Sequence, residues 1–116
     1  MKSFFVVNIS FFSFINAELT HFERGLNLYD QRAEKSSGLN ADPSLIGEAI
    51  NEFLIAMKSP EKELDAGVFL LKCYYFKGKF VSQNDDEKKD IYGKGKELGE
   101  KLINLYPESA PAHYWY

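Results

Sequence analysis

Apolar side chains recur at steps of three and four residues along most of this chain, and this spacing is the feature that most limits its fold. Such a period places side chains on one face of an α-helix, whereas a half-buried strand alternates at every second residue. No run of alternating β-branched residues is present, so a sheet is not expected. The spacing predicts an all-α fold of four helices and the start of a fifth, carried by Leu19, Phe22, Leu26, Tyr29 and Ala33; Ile46, Ala49, Ile50, Phe53, Leu54 and Met57; Leu64, Val68, Leu71 and Tyr75; and Ile91, Leu98, Leu102 and Leu105.

Capping residues mark the expected helix boundaries. Asp42 followed by Pro43 is typical of an N-cap and a first helical position, because the aspartate accepts a free backbone N–H and proline needs none. The other expected boundaries are a start at Ser59-Pro60 for the third helix, a span from about Asp86 to Leu105 for the fourth, and a cap at Ser109 or Ala110 for the fifth, with Pro111 near its first position.

The first seventeen residues differ from the rest of the chain. Lys2 gives a positive start, residues 4–15 form an apolar run rich in Phe and Val, and Ala17 offers a small residue before Glu18. This order is typical of a secretory signal peptide, and the run is short for a hydrocarbon core of about 30 Å. We expect residues 1–17 to be cleaved, leaving a periplasmic or secreted domain of residues 18–116 with no stable membrane span. The alternatives are that the segment stays attached as an anchor, or that it forms a first buried strand or helix of the domain.

Two stretches of the predicted domain read as copies of each other. A shift of 45 residues lays Leu19 on Leu64 and Tyr29 on Tyr74, and the second and fourth helices align at a shift of 46. A helix pair that repeats at such a period is the mark of an α-solenoid. The expected pairs are residues 18–60 and 61–107, with residues 109–116 as the start of a third.

These repeats resemble the tetratricopeptide (TPR) family. Tyr74-x-x-x-Gly78-x-Phe80 looks like the end of that family's first helix, and its second-helix pattern is similar to the set Ala49, Phe53, Ala56 and Pro60. The unit here is longer than the usual 34 residues, and Gly95 and Gly99 replace an expected small and aromatic residue. Within the family, the ending at residues 107–116 is similar to the T-component of tripartite periplasmic transporters. The resemblance implies an α-α superhelix that binds a ligand in its concave face.

The residues that often carry catalysis are sparse. Cys73 is the single cysteine and is expected to be a buried, unreactive thiol, and His21 and His113 have no second ligand at metal spacing. The acidic stretch 85–87 lacks the spacing of a calcium loop. Glycines at 93, 95 and 99 follow no strand, so we expect close helix packing there rather than a phosphate loop. We therefore expect no enzyme activity, cofactor or metal.

A concave binding surface is the sharpest functional prediction. In the family that this chain resembles, the first helix of each pair lines the groove, which gives candidate positions Thr20, Asp65, Val68 and Phe76 around a smaller set. A formal net charge of −3 gives no basic field for nucleic acid, so a protein or peptide partner, or a small solute, is expected. The candidate ligand-binding residues are Glu23, Asn27, Asp30, Gln31, Lys72 and Tyr75.

The predicted function is an exported scaffold that binds such a ligand, within a transport system. One alternative is that the chain is the N-terminal part of an enzyme or of a membrane-tethered assembly factor, with its site beyond residue 116. Only about one turn of the fifth helix is present, ending in Tyr114-Trp115-Tyr116. We expect a truncated solenoid whose open end leaves Tyr114 and Trp115 uncovered and self-associates, since solenoid units bury their apolar faces on their neighbours.

Overall fold

The computed structural model describes residues 19–116, and about 70% of it is helical. Five helices pack against one another, and this part of the chain contains no strand. The predicted signal peptide at residues 1–17 lies outside the described residues. The helices are α1 (His21–Asp30), α2 (Pro43–Ala56), α3 (Glu63–Phe80), α4 (Asp85–Leu105) and α5 (Ala110–Trp115).

Side-chain caps begin four of the helices, as the sequence indicates for α2 and α5. The backbone N–H of Ser44 donates to the Asp42 carboxylate, and that of Ala112 donates to the Ser109 hydroxyl. Proline lies in the first turn of both helices, where no N–H is needed. The remaining two caps are Thr20 of α1 and Asn84 of α4.

Two predicted boundaries are wrong. The third helix was expected to begin at Ser59-Pro60, but α3 has Lys62 as its N-cap, with no side-chain cap hydrogen bond. The preceding residues form a turn in which the Lys62 N–H donates to the Ser59 carbonyl. Similarly, α1 stops at Asp30 rather than reaching Ala33. A series of turns follows, and its one left-handed position is taken by Gly38, at φ 63°.

The five helices are arranged with α1, α3 and α5 in a row. Each helix packs against the next along the chain, and α3 also contacts both α1 and α5. Among the described residues, α2 and α4 share no contact. One surface of the molecule is therefore made by α1, α3 and α5.

In both helix pairs, α1 with α2 and α3 with α4, the second helix packs against a glycine of the first helix. A Cβ at Gly25 of α1 would lie 2.6 Å from the Phe53 ring of α2, and a Cβ at Gly67 of α3 would lie 2.8 Å from the Leu102 side chain of α4. Each glycine thus lets a large side chain of the partner helix approach the backbone. The two pairs use the same packing device.

The core has two parts. The larger lies between α1, α2 and α3, where the Phe53 and Phe69 rings stack at 5.5 Å and the Phe22 ring meets both edge-on. The smaller joins Leu71, Leu102 and Ala112 across α3, α4 and α5. Because α3 contributes to both, eight of its residues are buried, as predicted for a helix between neighbours.

The C-terminal aromatic residues are more covered than the sequence analysis expects. Trp115 is half-buried and packs edge-on against the Tyr75 ring at 5.9 Å, while the Tyr116 hydroxyl donates to Glu100. Tyr114 remains 80% exposed. The expectation that nothing covers the Tyr114-Trp115 pair is therefore wrong for Trp115.

Candidate binding surface

A groove of about 410 Å³ runs along the face made by α1, α3 and α5. Its walls are mainly apolar, with Asp65 and Lys72 as the two charged groups. These charges lie seven residues apart on α3, or about 10 Å at 1.5 Å per residue. The lining residues are Phe22 and Leu26 of α1; Leu64, Asp65, Val68, Phe69 and Lys72 of α3; and Ser109 and Pro111 at α5.

The helical period of α3 explains why this groove exists. Asp65, Val68 and Lys72 are spaced by three and four residues, so they share one face, while Gly67 and Leu71 turn toward α4. Phe69 lies at the boundary with α1, where it packs on Phe22. The groove floor is thus the outer side of the aromatic core.

Lys72 is held in position by aromatic rings. Its ammonium lies 4.2 Å from the centroid of Phe69 and 5.5 Å from that of Trp115. Both contacts are in the range where a cation is attracted to the negative face of a ring. Within residues 19–116, no carboxylate lies within 4.0 Å of this ammonium. The Lys72 charge is therefore oriented by the protein and open to an anionic group of a ligand.

Tyr75 occupies the border between the groove and a second cavity. The ring is 47% exposed and packs on Trp115, and Lys79 donates to its hydroxyl at 3.5 Å. It does not line the groove itself. It lines a neighbouring cavity of about 330 Å³ together with Leu71, Tyr74, Tyr92, Gly95, Lys96, Trp115 and Tyr116.

The four candidate residues of α1 are all exposed, and none lines the groove. Glu23 belongs to the cap of α1, since its backbone N–H donates to the Thr20 hydroxyl and its carboxylate accepts from that hydroxyl. Gln31 is the C-cap, and its N–H donates to the Asn27 carbonyl. By helical geometry Glu23 and Asp30 lie beside Phe22, on the side away from α2. Both are exposed carboxylates outside the groove, and the Lys62 ammonium lies 5.0 Å from the centroid of the Phe22 ring.

The apolar walls of the groove were not predicted to face a ligand. Phe22, Leu26 and Leu64 read as core residues because their spacing is that of a packed face. The second cavity was also missed as a site. The signal that pointed toward it was the set of glycines in α4, which was interpreted as a close approach of helices.

Other titratable groups have structural explanations. Burial raises the pKa of the Cys73 thiol to about 12, which keeps it protonated and unreactive near neutral pH. The hydrogen bond to Glu63 raises the pKa of Tyr106, because the neutral phenol is the donor. His21 pairs with Glu52 of α2. Within residues 19–116, no group of three or more His, Cys, Asp or Glu side chains could hold a metal ion.

A scan against protein-family models finds no match to this chain, and searches of curated proteins and of solved structures find none either. In the part of the chain that the structure describes, no helix combines the length and apolar character needed to cross a membrane. Function must therefore be inferred from the chemistry of the surface itself.

Proposed function

We propose that this chain is an exported helical-repeat binding protein of TPR type, which holds a peptide segment of a protein partner in the groove of α1, α3 and α5. The observation that carries this proposal is the groove, an apolar channel with one acidic and one basic side chain. Ligand sites in proteins are commonly concave and apolar, with a few charged groups that fix the orientation of the ligand.

The packing of the helices supports the repeat assignment. In a solenoid of helix pairs, the first helix of each pair meets the first helix of the next pair along one face. The contacts of α3 with α1 and α5, without contact between α2 and α4, follow this pattern. The glycine packing shared by Gly25 and Gly67 supports two copies of one structural unit.

Charge defines the peptide that would fit. Asp65 supplies an acidic group in the groove, and Lys72 supplies a basic group near α5. A matching peptide would place an apolar side chain in the groove. A basic residue on one side of it would pair with Asp65, and an acidic residue on the other side would pair with Lys72. A charge-assisted hydrogen bond is worth roughly 1.5–3 kcal/mol, so each flank should matter measurably. A small solute with the same charge pattern would use the same groups.

A randomised peptide library tests this proposal. Residues 18–116 should select peptides that carry an apolar residue between opposite charges, and Lys72→Glu should reverse the preference at the acidic flank. Lys101→Glu is the matched control, because it makes the same change of net charge at an exposed position of α4 that lines neither cavity. Selection unaffected by Lys72→Glu would refute the groove as the peptide site.

Export is tested separately. Expression in a bacterium, followed by N-terminal sequencing of the extracytoplasmic product, should give a chain that begins at Glu18. Recovery of a product that still begins at Met1 in the membrane fraction would favour the anchored alternative. Recovery of intact chain in the cytosol alone would remove export from the proposal.

A further inference from the structure

The second cavity, between α3, α4 and the end of α5, is unusually aromatic. Five of its eight lining residues carry aromatic rings. Its volume of about 330 Å³ lies at the lower end of the roughly 300–1,000 Å³ that is typical of small-molecule sites. We call it the aromatic cavity. It differs from the groove of α1, α3 and α5, since the two share no lining residue.

Glycines position two of its walls. A Cβ at Gly78 of α3 would lie 2.5 Å from the Tyr92 ring, so this ring rests directly on the α3 backbone. Gly99 of α4 receives the Tyr116 ring in the same way, and the Tyr116 hydroxyl is fixed by its hydrogen bond to Glu100, at 2.8 Å. Tyr92 and Tyr116 are therefore oriented by packing.

Gly95 keeps the space between these walls open. A Cβ at this position would make only ordinary contact with the Cβ of Tyr74, at 3.7 Å, so the packing of α3 on α4 does not require glycine there. A glycine inside a helix costs about 1 kcal/mol relative to alanine. The packing of α3 on α4 therefore does not account for glycine at position 95, whereas the open floor of the cavity does.

Three lysine side chains lie in or beside the cavity. Lys96 lines it, and in residues 19–116 no carboxylate lies within 4.0 Å of the Lys96 ammonium. Lys79 lies 5.7 Å from the centroid of the Tyr75 ring, and Lys72 lies 5.5 Å from that of Trp115. An acidic residue, Glu100, accepts a hydrogen bond from the hydroxyl of Tyr116, which lines the cavity. Lysines already lie against the Tyr75 and Trp115 rings, which disfavours a cationic ligand on those two rings.

We propose that the aromatic cavity binds a small aromatic carboxylate, with its ring among the tyrosine and tryptophan rings and its carboxylate on Lys96. Aromatic rings favour edge-on and offset contacts with one another, which the differently oriented walls of this cavity can supply. A lysine ammonium forms its strongest hydrogen bonds with a charged oxygen. This site takes a free small molecule and does not depend on the peptide groove.

The test uses the single tryptophan of the chain as a reporter. In a ¹H–¹⁵N spectrum Trp115 gives one indole N–H signal, which should shift and saturate as 2-naphthoate is added. The ammonium compound 2-naphthylmethylammonium has the same ring with the opposite charge, and it should bind at least about tenfold more weakly. Lys96→Gln should weaken 2-naphthoate about tenfold. Lys94→Gln is the matched control, because it removes the same charge from α4 at a residue that lines a different cavity.

A second variant tests the location independently of charge. Gly95→Leu should fill the aromatic cavity and abolish the response to 2-naphthoate, while Lys96→Gln, at an exposed position, should leave the fold intact. Tighter binding of the ammonium compound, or equal binding of both compounds, would overturn the assignment to a carboxylate. Full affinity of Gly95→Leu for 2-naphthoate would place the binding outside this cavity and overturn the proposal.

Discussion

The two helix pairs share a packing device but differ in what they bury. In the first pair, α2 buries five of its 14 residues, including the fully buried Phe53 ring. In the second pair, α4 buries only three of its 21 residues and contains three glycines. The larger core is therefore built around α2, between α1 and α3, while α4 leaves side chains free to shape cavities.

This difference suggests how one small chain combines stability with binding. Phe53 and Phe69 form a rigid support behind the groove, and α3 carries that support to both cavities. Tyr92 and Lys96 of α4, whose burial adds little to the core, line the aromatic cavity. We expect substitutions at buried positions of α2 and α3 to affect folding most, and substitutions at exposed positions of α4 to affect binding.

Phe53→Ala should have the largest effect. The ring is 0% exposed and contacts α1 at Gly25 and α3 at Phe69, so its removal leaves a cavity at the centre of the larger core. The free energy of unfolding should fall by about 3–5 kcal/mol. Urea unfolding followed by circular dichroism measures it, with Leu105→Ala on α4 as an exposed control. A loss below about 1 kcal/mol would contradict the claim that the larger core is built around α2.

Leu71 and Tyr75 separate packing from binding within α3. Leu71 is 3% exposed and joins Leu102 and Ala112, so Leu71→Ala should cost about 2–5 kcal/mol. Tyr75→Ala removes a half-exposed ring and one edge-on contact with Trp115, and should cost about 1 kcal/mol. The same Tyr75→Ala protein should bind 2-naphthoate more weakly. If both variants melt at the same temperature, Tyr75 is a core residue.

Gly25→Ala tests the packing device of the first pair. The new Cβ would lie within 2.6–2.9 Å of three atoms of the Phe53 ring, which is packed on all sides and has little room to move. The clash should exceed the helix-propensity gain and destabilise the protein by about 1–3 kcal/mol. Thermal unfolding measures the change. A stabilised Gly25→Ala protein would show that α1 can move away from α2 without loss.

The Cys73 thiol provides a pH test of the same core. Its pKa is raised by burial from 9.0 to about 12, so folding favours the protonated thiol. That contribution is complete below pH 9 and is lost as the pH rises toward 12, by about 1 kcal/mol between pH 9 and pH 10. Cys73→Ala lacks this term, so its stability should decline less steeply above pH 9. Parallel pH profiles would show that the thiol is accessible.

The sequence predicted individual caps and helices better than it predicted which residues occupy equivalent positions in the two helix pairs. The cap at Asp42, the proline at 111 and the span of α4 were predicted because each depends on neighbouring residues. The internal alignment at a shift of 45 paired Tyr29 with Tyr74, yet the glycine contacts relate Gly67 to Gly25, which is 42 residues earlier. Two aromatic residues that match in sequence are a weaker guide to equivalent positions than two glycines that each let a side chain approach the backbone. The sequence alone does not reveal such an approach.

The candidate site was predictable only in part. Lys72 was identified because a groove-facing register could be counted along α3, and it lines the groove. The aromatic cavity could not be foreseen, because Tyr74, Tyr92 and Tyr116 belong to three different segments and meet only through tertiary packing. The early start assumed for α3 and the late end assumed for α1 had the same origin, since the charged residues at 31–35 and 58–62 suit a helix as well as a turn.

The smallest effect, from Gly93→Ala, would show which α4 glycines are used. No atom lies within 4 Å of a Cβ at Gly93, in contrast to Gly99, which Tyr116 covers. Alanine there should stabilise the protein by about 0.5–1 kcal/mol through helix propensity and leave 2-naphthoate binding unchanged. Gly47→Ala in α2, equally free of neighbours, should give a similar gain and serves as the matched control in the first pair. If Gly93→Ala destabilises while Gly47→Ala does not, the α4 backbone at residue 93 has a role that its surroundings in this structure do not explain. Equal gains at both sites would leave Gly95 and Gly99 as the α4 glycines with a role at the aromatic cavity.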